Sequence, residues 1–521
     1  MIESLNPGNH KQQAQELTQI LENRGYTVQQ GAYEYVTAER CQQMQSCFGN
    51  NPASPYGLTF LPAGPSEDIS TYPAWGKFLG TQVNGVNMSA SYRLDANETI
   101  VMLGQTPPRC LYYSYLPYVL HRWYPNGWSS PSSNLIGKCP DVTNPYGGRC
   151  AIFASLGNPI NMLDMNTSNE GGDSFNSAFA HFMGGDMEEV EKIQNLSIEA
   201  GIQSSIHNIF GLSTARANLG LSPTSDALAH LFRFAFADNP SEVHEYVYNP
   251  SAYVTVLRVT PPTAGVQGSP FPPYEFKQRI SEPEGVASEG ISNRQLKFAL
   301  KFRLKPGVMR NYLRTHHFVK KFTVDAPNFE NGYDCMDQGI RCSGDNQDTL
   351  YPNSGKAIRR SKICTNTFGR FCPVTRRTTL QEDGSDFFLV TGVNHNATGR
   401  ALYSNIAMYN VDRLESVGSF NSMPIDLSAD SYVDSAKKYM GNRSIAKYLF
   451  AVKVTRKCGE DETFCLELPK SGNNSLPLDS SCLFIERIYL DHMEAGPTKD
   501  ATIKPIVYHF SSKLFSGSIF G

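Results

Sequence analysis

Gly392-Val393-Asn394-His395-Asn396 stands just ahead of Tyr403-Ser404-Asn405-Ile406-Ala407-Met408-Tyr409, a run that alternates like a strand. An unperturbed histidine titrates near neutrality, so His395 has the chemistry of a general base. Tyr403 or Tyr409 on the following strand would be its proton partner, and the Asn394 amide would hold an oxyanion. The same letters also spell a turn, because Gly and Asn tolerate positive φ, and this plainer reading is the one the residue types favour. Asn396 heads an Asn-X-Ser/Thr sequon. A glycan beside His395 would crowd a reacting centre, so the sequon and the catalytic reading compete.

A second group is basic. Lys297, Lys301, Arg303 and Lys305 alternate with Leu296, Phe298, Leu300, Phe302 and Leu304. That pattern predicts a strand with an apolar face and a basic face. Arg310 and Arg314 continue it, and Lys356, Arg359, Arg360, Lys362, Arg370, Arg376 and Arg377 follow in loop-like sequence. The net charge is only −3, so this is a local concentration and not a global field. Its expected ligand is a polyanionic saccharide, weighed against a merely solvated face. Nucleic acid is not expected, because no recognition motif accompanies the charge. His316-His317 would point to opposite sides of a strand and reads as part of this surface, not as a metal pair. His244-Glu245 and Asp491-His492 are acid–histidine neighbours of low specificity. No Gly-X-Ser-X-Gly, P-loop or HExxH is present. The sequence places no metal and leaves any cofactor open.

The cysteines speak to compartment. Cys41 and Cys47, Cys335 and Cys342, Cys364 and Cys372, and Cys458 and Cys465 form close pairs in Gly/Asn/Asp-rich surroundings. None has the two-to-four-residue gap of a zinc knuckle, so local disulfides are expected, and with them an oxidising, extracellular setting. Cys110, Cys139, Cys150 and Cys482 stay unassigned. Sequons at Asn87, Asn97, Asn166, Asn195, Asn396, Asn442 and Asn473 fit a secreted glycoprotein. The opening residues lack the apolar core of a signal peptide, so the secreted reading takes the chain as a processed form. No apolar run is long enough to span a bilayer as a helix.

These residues need a scaffold. At 521 residues the chain exceeds one ordinary core. A helix is expected over 10–24, followed by a hairpin in "YTVQQGAYEYV". Strands are expected at "ETIVMLG", "RCLYYSYLPYVL", "CAIFASLG" and "AYVTVLRVT", with a helical insertion at about 186–235 opened by an Asp186/Glu189 capping box. Within it, "SDALAHLFRFAF" fits helix or buried strand. Six prolines mark 261–283, and a linker is placed at 261–284. A second β-rich lobe over 285–521 holds "FFLVTG", "RALYSNIAMYNV", "KYLFAVKVTRK", "LFIERIYL" and "KPIVYHF". The fold class is mainly β, with α+β as the alternative: two sandwich-like lobes, 1–260 and 285–521. Gly104 with Tyr113-Ser114 and Gly392 with Tyr403-Ser404 suggest a weak internal duplication.

Two functions remain. One is a secreted, disulfide-bonded, cofactor-free hydrolase or lyase acting on a small or saccharide substrate through His395 and Tyr403. The other is a non-catalytic extracellular glycan-binding or matrix protein that uses the basic face.

Overall fold

The structure is a computed structural model. It describes residues 9–37, 39–41, 47, 56–68, 80–124, 149–169, 173–263, 265, 268–283, 290–353, 380–410, 415–472, 474–478, 480, 482–490 and 495–512. Arg359, Arg360, Cys139, Cys364, Cys372 and Asp491-His492 lie outside them. The chain is mainly β, in several separate sheets, and divides into two units. The first comprises Met1–Ser46, Ala53–Lys277 and Phe329–Gln347; the second comprises Cys47–Pro52, Gln278–Asn328 and Asp348–Gly521.

In the first unit, helix α1 (Asn9–Asn23) precedes β1 (Thr27–Gln30), β2 (Ala32–Tyr35) and β3 (Tyr56–Phe60). A hairpin, β4 (Gly80–Val83) and β5 (Val86–Ser89), comes next, then β6 (Thr99–Gln105), β7 (Cys110–Trp123), β8 (Arg149–Ser155), β9 (Ile160–Asn161) and β10 (Ala178–Gly184). Helix α2 (Met187–Glu199) leads to β11 (His207–Gly211), β12 (Ala227–Ala237) and β13 (Val254–Thr260). One sheet runs β1-β13-β6-β10-β11, and the other runs β2-β3-β12-β7-β8 with β9 beside β7.

The second unit holds β14 (His317–Thr323), β15 (Thr349–Leu350), β16 (Asp386–Val393), β17 (Tyr403–Asn410), β18 (Glu415–Asn421), β19 (Leu449–Thr455), β20 (Cys465–Glu467), β21 (Cys482–Tyr489) and β22 (Ile506–Ser511). Its sheets run β14-β22-β16-β19-β20 and β15-β21-β17-β18. Set aside β2, β9 and the β4–β5 hairpin, and the nine remaining strands of the first unit match these nine in chain order and in sheet order. The pairing sense matches as well: β10–β11 and β19–β20 are parallel and the other corresponding pairs antiparallel. Without β11 or β20, each unit has the order 1-8-3-6 facing 2-7-4-5, which is that of a jelly roll.

Alternation sets the layers. In β6, Ile100 and Met102 enter the inter-sheet core with Tyr113, Tyr115 and Phe232, whereas Val101 and Leu103 pack under Leu17, Leu21 and Ile193 of the two helices. In β16, Phe388 and Val390 face inward with Val452 and Phe484, and Phe387 and Leu389 pack outward beneath a helical segment. Full burial of each such side chain contributes about 1.5–3 kcal/mol, so a sheet covered on both sides is the stable arrangement. The repeat also shows in register. Gly104 pairs with Phe179 and Gly392 with Phe450, and an alanine follows each phenylalanine. The Tyr-Ser matches are out of phase by comparison: Tyr113 points inward, whereas Tyr403 lies on the face opposite Ile406 and Met408.

Three expectations are corrected. First, the basic run is helical, not a strand: helix α3 (Asn293–Ala299), a π turn Leu300–Leu304 and helix α4 (Lys305–Tyr312). A period of two is contained in a period of four. Leu296, Leu300 and Leu304 therefore share one helical face, and Ala299 and Val308 complete the buried stripe. Ser292 and Gln295 close a capping box at its start. Pro306 lacks an N–H, and the ladder widens ahead of it, with the Lys305 N–H on the Leu300 carbonyl. Second, β1 and β2 form no hairpin; they pair with β13 and β3 in different sheets. Gly31 sits at the crossing, where a Cβ would come within 3.0 Å of Phe60, Leu61 and Val256. Third, of the segment expected to be helical over 186–235, only α2 is a long helix, and "SDALAHLFRFAF" forms most of β12, the neighbour of β7.

Disulfides join Cys335 to Cys342 and Cys458 to Cys465, and Cys41, Cys47 and Cys150 are also disulfide-bonded. Cys110 and Cys482 are buried thiols. Among the described residues no helix is long and apolar enough to cross a membrane.

Candidate functional site

His395 follows the last residues of β16 and is fully buried. Its Nε2 lies 3.1 Å from Glu486 Oε1, a carboxylate on β21 that is itself 2% exposed. The turn that carries it is closed by its own bonds. The His395 carbonyl accepts from the Arg400 and Ala401 N–H groups at 2.9 and 3.1 Å and from the Thr398 hydroxyl at 3.1 Å. Asn394 Oδ1 accepts from the Ala397 N–H, three residues on, at 3.2 Å, a local side-chain-to-backbone bond that fixes the turn. Tyr403 is buried against Tyr489, ring centroids 5.6 Å apart. The structure thus gives His395 a carboxylate partner that its sequence neighbours did not announce. Glu486 lies 91 residues away, and only the pairing of β17 with β21 brings that strand alongside. Asn396 is exposed, with its amide donating to the Leu402 carbonyl at 2.8 Å. Asn97, another sequon residue, is buried and donates to the Thr263 carbonyl at 2.9 Å.

The first unit buries a second set of titratable groups. His181 of β10 and His230 of β12 both face the inter-sheet core, with ring centroids 6.1 Å apart and Tyr115 packed edge-on to His181 at 4.6 Å. His181 Nε2 lies 3.3 Å from Met165 Sδ, and His230 Nδ1 lies 3.2 Å from the Thr59 hydroxyl. Among the described residues His181 Nδ1 and His230 Nε2 have no hydrogen-bond partner. Burial, with His230 adding to it, pushes the His181 pKa well below the ordinary imidazole value, and burial pushes His230 down to about 3. Both rings are therefore neutral at ordinary pH. Their sequence signature was a histidine at an inward position of an apolar strand, in "AFAHFMG" and "ALAHLFRF". No group of three or more His, Cys, Asp or Glu side chains is arranged to hold a metal among the described residues.

The basic side chains lie elsewhere. Lys297, Lys301, Arg303 and Lys305 are exposed on the α3–α4 segment of the second unit. Arg310 and Arg314 are exposed too, and His316 is half-buried beside Phe387 at 5.0 Å.

An open cleft lies on the first unit where the chain crosses from one sheet to the other. It encloses about 770 Å³. Helix α1 supplies Lys11, Gln15, Thr18 and Gln19, the crossing supplies Gln30, and Asn84, Ser251 and Thr255 add further polar groups. Gln30 is held by bonds from Nε2 to the Gly31 and Val256 carbonyls, both 3.1 Å. Glu34, also on the rim, is engaged by Arg40 at 3.0 Å and by the Thr81 hydroxyl at 3.0 Å. A smaller cleft of about 210 Å³ is lined by Asn9, Gln13, Gln105, Asn169 and Asn176. Amides recur in both, and α1, built as "NHKQQAQELTQILEN" with leucines on its buried face, supplies Asn9, Gln13, Gln15 and Gln19 among them.

No family model and no curated protein matches the chain. It is similar to two solved structures. One is an uncharacterized protein from Burkholderia cenocepacia, at 8% identity, with 97% of this chain and 88% of that one covered and a TM-score of 0.34. The other is the VPA0106 protein from Vibrio parahaemolyticus, at 10% identity, with 88% and 90% covered and a TM-score of 0.34.

Proposed function

We propose that this chain is a disulfide-stapled saccharide-binding protein of an oxidising compartment, and that it takes a neutral oligosaccharide in the cleft beside α1. The observation that carries this reading is the lining of that cleft. Gln15, Gln19 and Asn84 each offer a donor and an acceptor, and Thr18 and Ser251 add hydroxyls, which is the mixture sugar hydroxyls require. The Glu34 carboxylate on the lining is already engaged, which leaves Lys11 as a charged side chain among otherwise neutral polar groups. Disulfide bonds at Cys335–Cys342 and Cys458–Cys465 support the compartment. The test is an array of neutral glycans followed by calorimetry on the full chain and on Q15A/Q19A. Both glutamines are exposed on α1, so the variant keeps the fold. Loss of two hydrogen bonds weakens binding by about 10–30-fold. Retention of no neutral glycan, or equal affinity in the variant, overturns the reading.

A second reading, a hydrolase or lyase working through His395, is favoured by the 3.1 Å contact to Glu486. In it, the carboxylate orients the imidazole and stabilises its protonated form. A substrate panel on the full chain and on His395→Ala, with a thermal melt as the folding control, decides it. Equal turnover in both removes His395 from the chemistry.

A further inference from the structure

The α3–α4 segment turns one face to the protein and another to solvent, and the solvent face is unusual for a soluble helix. Leu296, Ala299, Leu300, Leu304 and Val308 are buried against the outer face of the β16 sheet. On the other side Phe298 is 50% and Phe302 54% exposed, with their ring centroids 4.9 Å apart. Two phenylalanines four residues apart on an exposed helical face leave an apolar surface that folding alone does not use. Cationic side chains flank them. Lys301 Nζ lies 5.0 Å from the Phe302 ring centre and the Arg303 guanidinium 5.9 Å from that of Phe298. Arg294, Lys297 and Lys305 are exposed on the same segment. From Gly290 to Val324 the sequence has nine Lys and Arg and no Asp or Glu. None of Arg294, Lys297, Lys301, Arg303 and Lys305 forms an ion pair with a described residue, in a chain whose net charge is −3.

We infer that this helical face docks the protein on an anionic membrane surface, with Phe298 and Phe302 entering the headgroup–acyl boundary and the surrounding lysines and arginines neutralising acidic headgroups. Charge alone would suit any polyanion. The phenylalanine pair separates the cases, because a sulfated polysaccharide has no apolar phase for the rings to enter, whereas an interfacial helix combines aromatic residues with Lys and Arg flanks. The segment has no apolar span of membrane-crossing length, so the mode is peripheral and reversible.

The test is flotation of the full chain with vesicles of phosphatidylcholine alone and of phosphatidylcholine with about 30% phosphatidylserine, at about 100 mM salt. Binding is expected only to the anionic vesicles. F298S/F302S should weaken it by about 100-fold, roughly tenfold per partly inserted ring. K301E/K305E should weaken it by at least 25-fold, about fivefold per lost cation before the added repulsion. All four side chains are exposed, so thermal melts of both variants should match the parent. A heparin column run beside the vesicles decides between partners. If F298S/F302S floats like the parent while K301E/K305E loses heparin and vesicles alike, the face is a polyanion site and the membrane assignment fails. It fails equally if the parent floats with neither vesicle.

Discussion

Aligned on Gly104 and Gly392, the middle strands of the two units set Met102 against His181 in the first and Val390 against Val452 in the second. Further along the same alignment Arg258, paired with Ile100, corresponds to His509, paired with Phe388. Arg258 is fully buried and binds Glu98 through Nε at 3.0 Å and Nη2 at 2.6 Å. Arg93 and Glu67, 2.5 Å apart and equally buried, lie alongside, with Arg258 Nη1 3.9 Å from Glu67. His509 instead packs on the Phe388 ring at 5.0 Å. The Gly–Phe cross-strand pair and the apolar alternation are common to both units, whereas the polar interior is not. The shared strand order thus goes with the apolar side chains, and the buried polar groups differ between the two units, each of which must compensate its own.

That comparison breaks most sharply at Glu98. Burial pushes its carboxyl up, but the Arg258 charge and hydrogen bonds, with those of Thr260 and the Asp95 N–H, hold it below the ordinary carboxylate range. Glu98→Ala leaves the Arg258 guanidinium buried beside an empty position and should cost about 3–5 kcal/mol by urea denaturation. His509→Leu in the second unit removes no opposite charge and should cost distinctly less. Equal costs would mean that the ion cluster is not what distinguishes the first unit.

The next effect is in pH. His181 and His230 refuse protons in the folded chain that they accept when unfolded. Their stabilising contribution is therefore complete above about pH 6.5 and falls away as pH drops from there towards the folded pKa, about 3 for His230. Each such group costs about 1.4 kcal/mol per pH unit within that window. Urea denaturation between pH 7.5 and 5 should show that slope, and His181→Val, which installs the residue found at Val452, should reduce it by roughly half. An unchanged slope would assign the acid sensitivity to other groups, of which His207 and His316 are shifted the same way but are more exposed.

Most strands and the first helix were legible, because apolar alternation and Gly/Pro punctuation are local properties. The Lys297–Lys305 run was misread since leucines spaced by four satisfy both periods, and only the capping box at Ser292-Gln295 pointed to helix. The Tyr-Ser words that suggest a duplication lie in opposite phase; the correspondence of the two units rests on strand order and on Gly104 against Phe179 and Gly392 against Phe450, a cross-strand relation that no linear motif displays. The Glu486 partner of His395 and the His181/His230 core were hidden for the same reason: both are made by pairing residues tens of positions apart.

The two glycines offer the finest test. An added Cβ at Gly104 would press on the Tyr253 carbonyl, which is backbone and cannot swing aside. At Gly392 it would meet the Phe450 ring at 2.6 Å, the far end of a side chain. Overpacking costs about 1–3 kcal/mol, so Gly104→Ala should fall near the top of that range and Gly392→Ala near the bottom. Gly392→Ala combined with Phe450→Leu should then cost less than the sum of the two single changes, because the smaller side chain makes room for the methyl group. A strictly additive pair would show that the strand bends at Gly392 instead of the ring moving, and the equivalence of the two glycines would then rest on backbone constraint in both units.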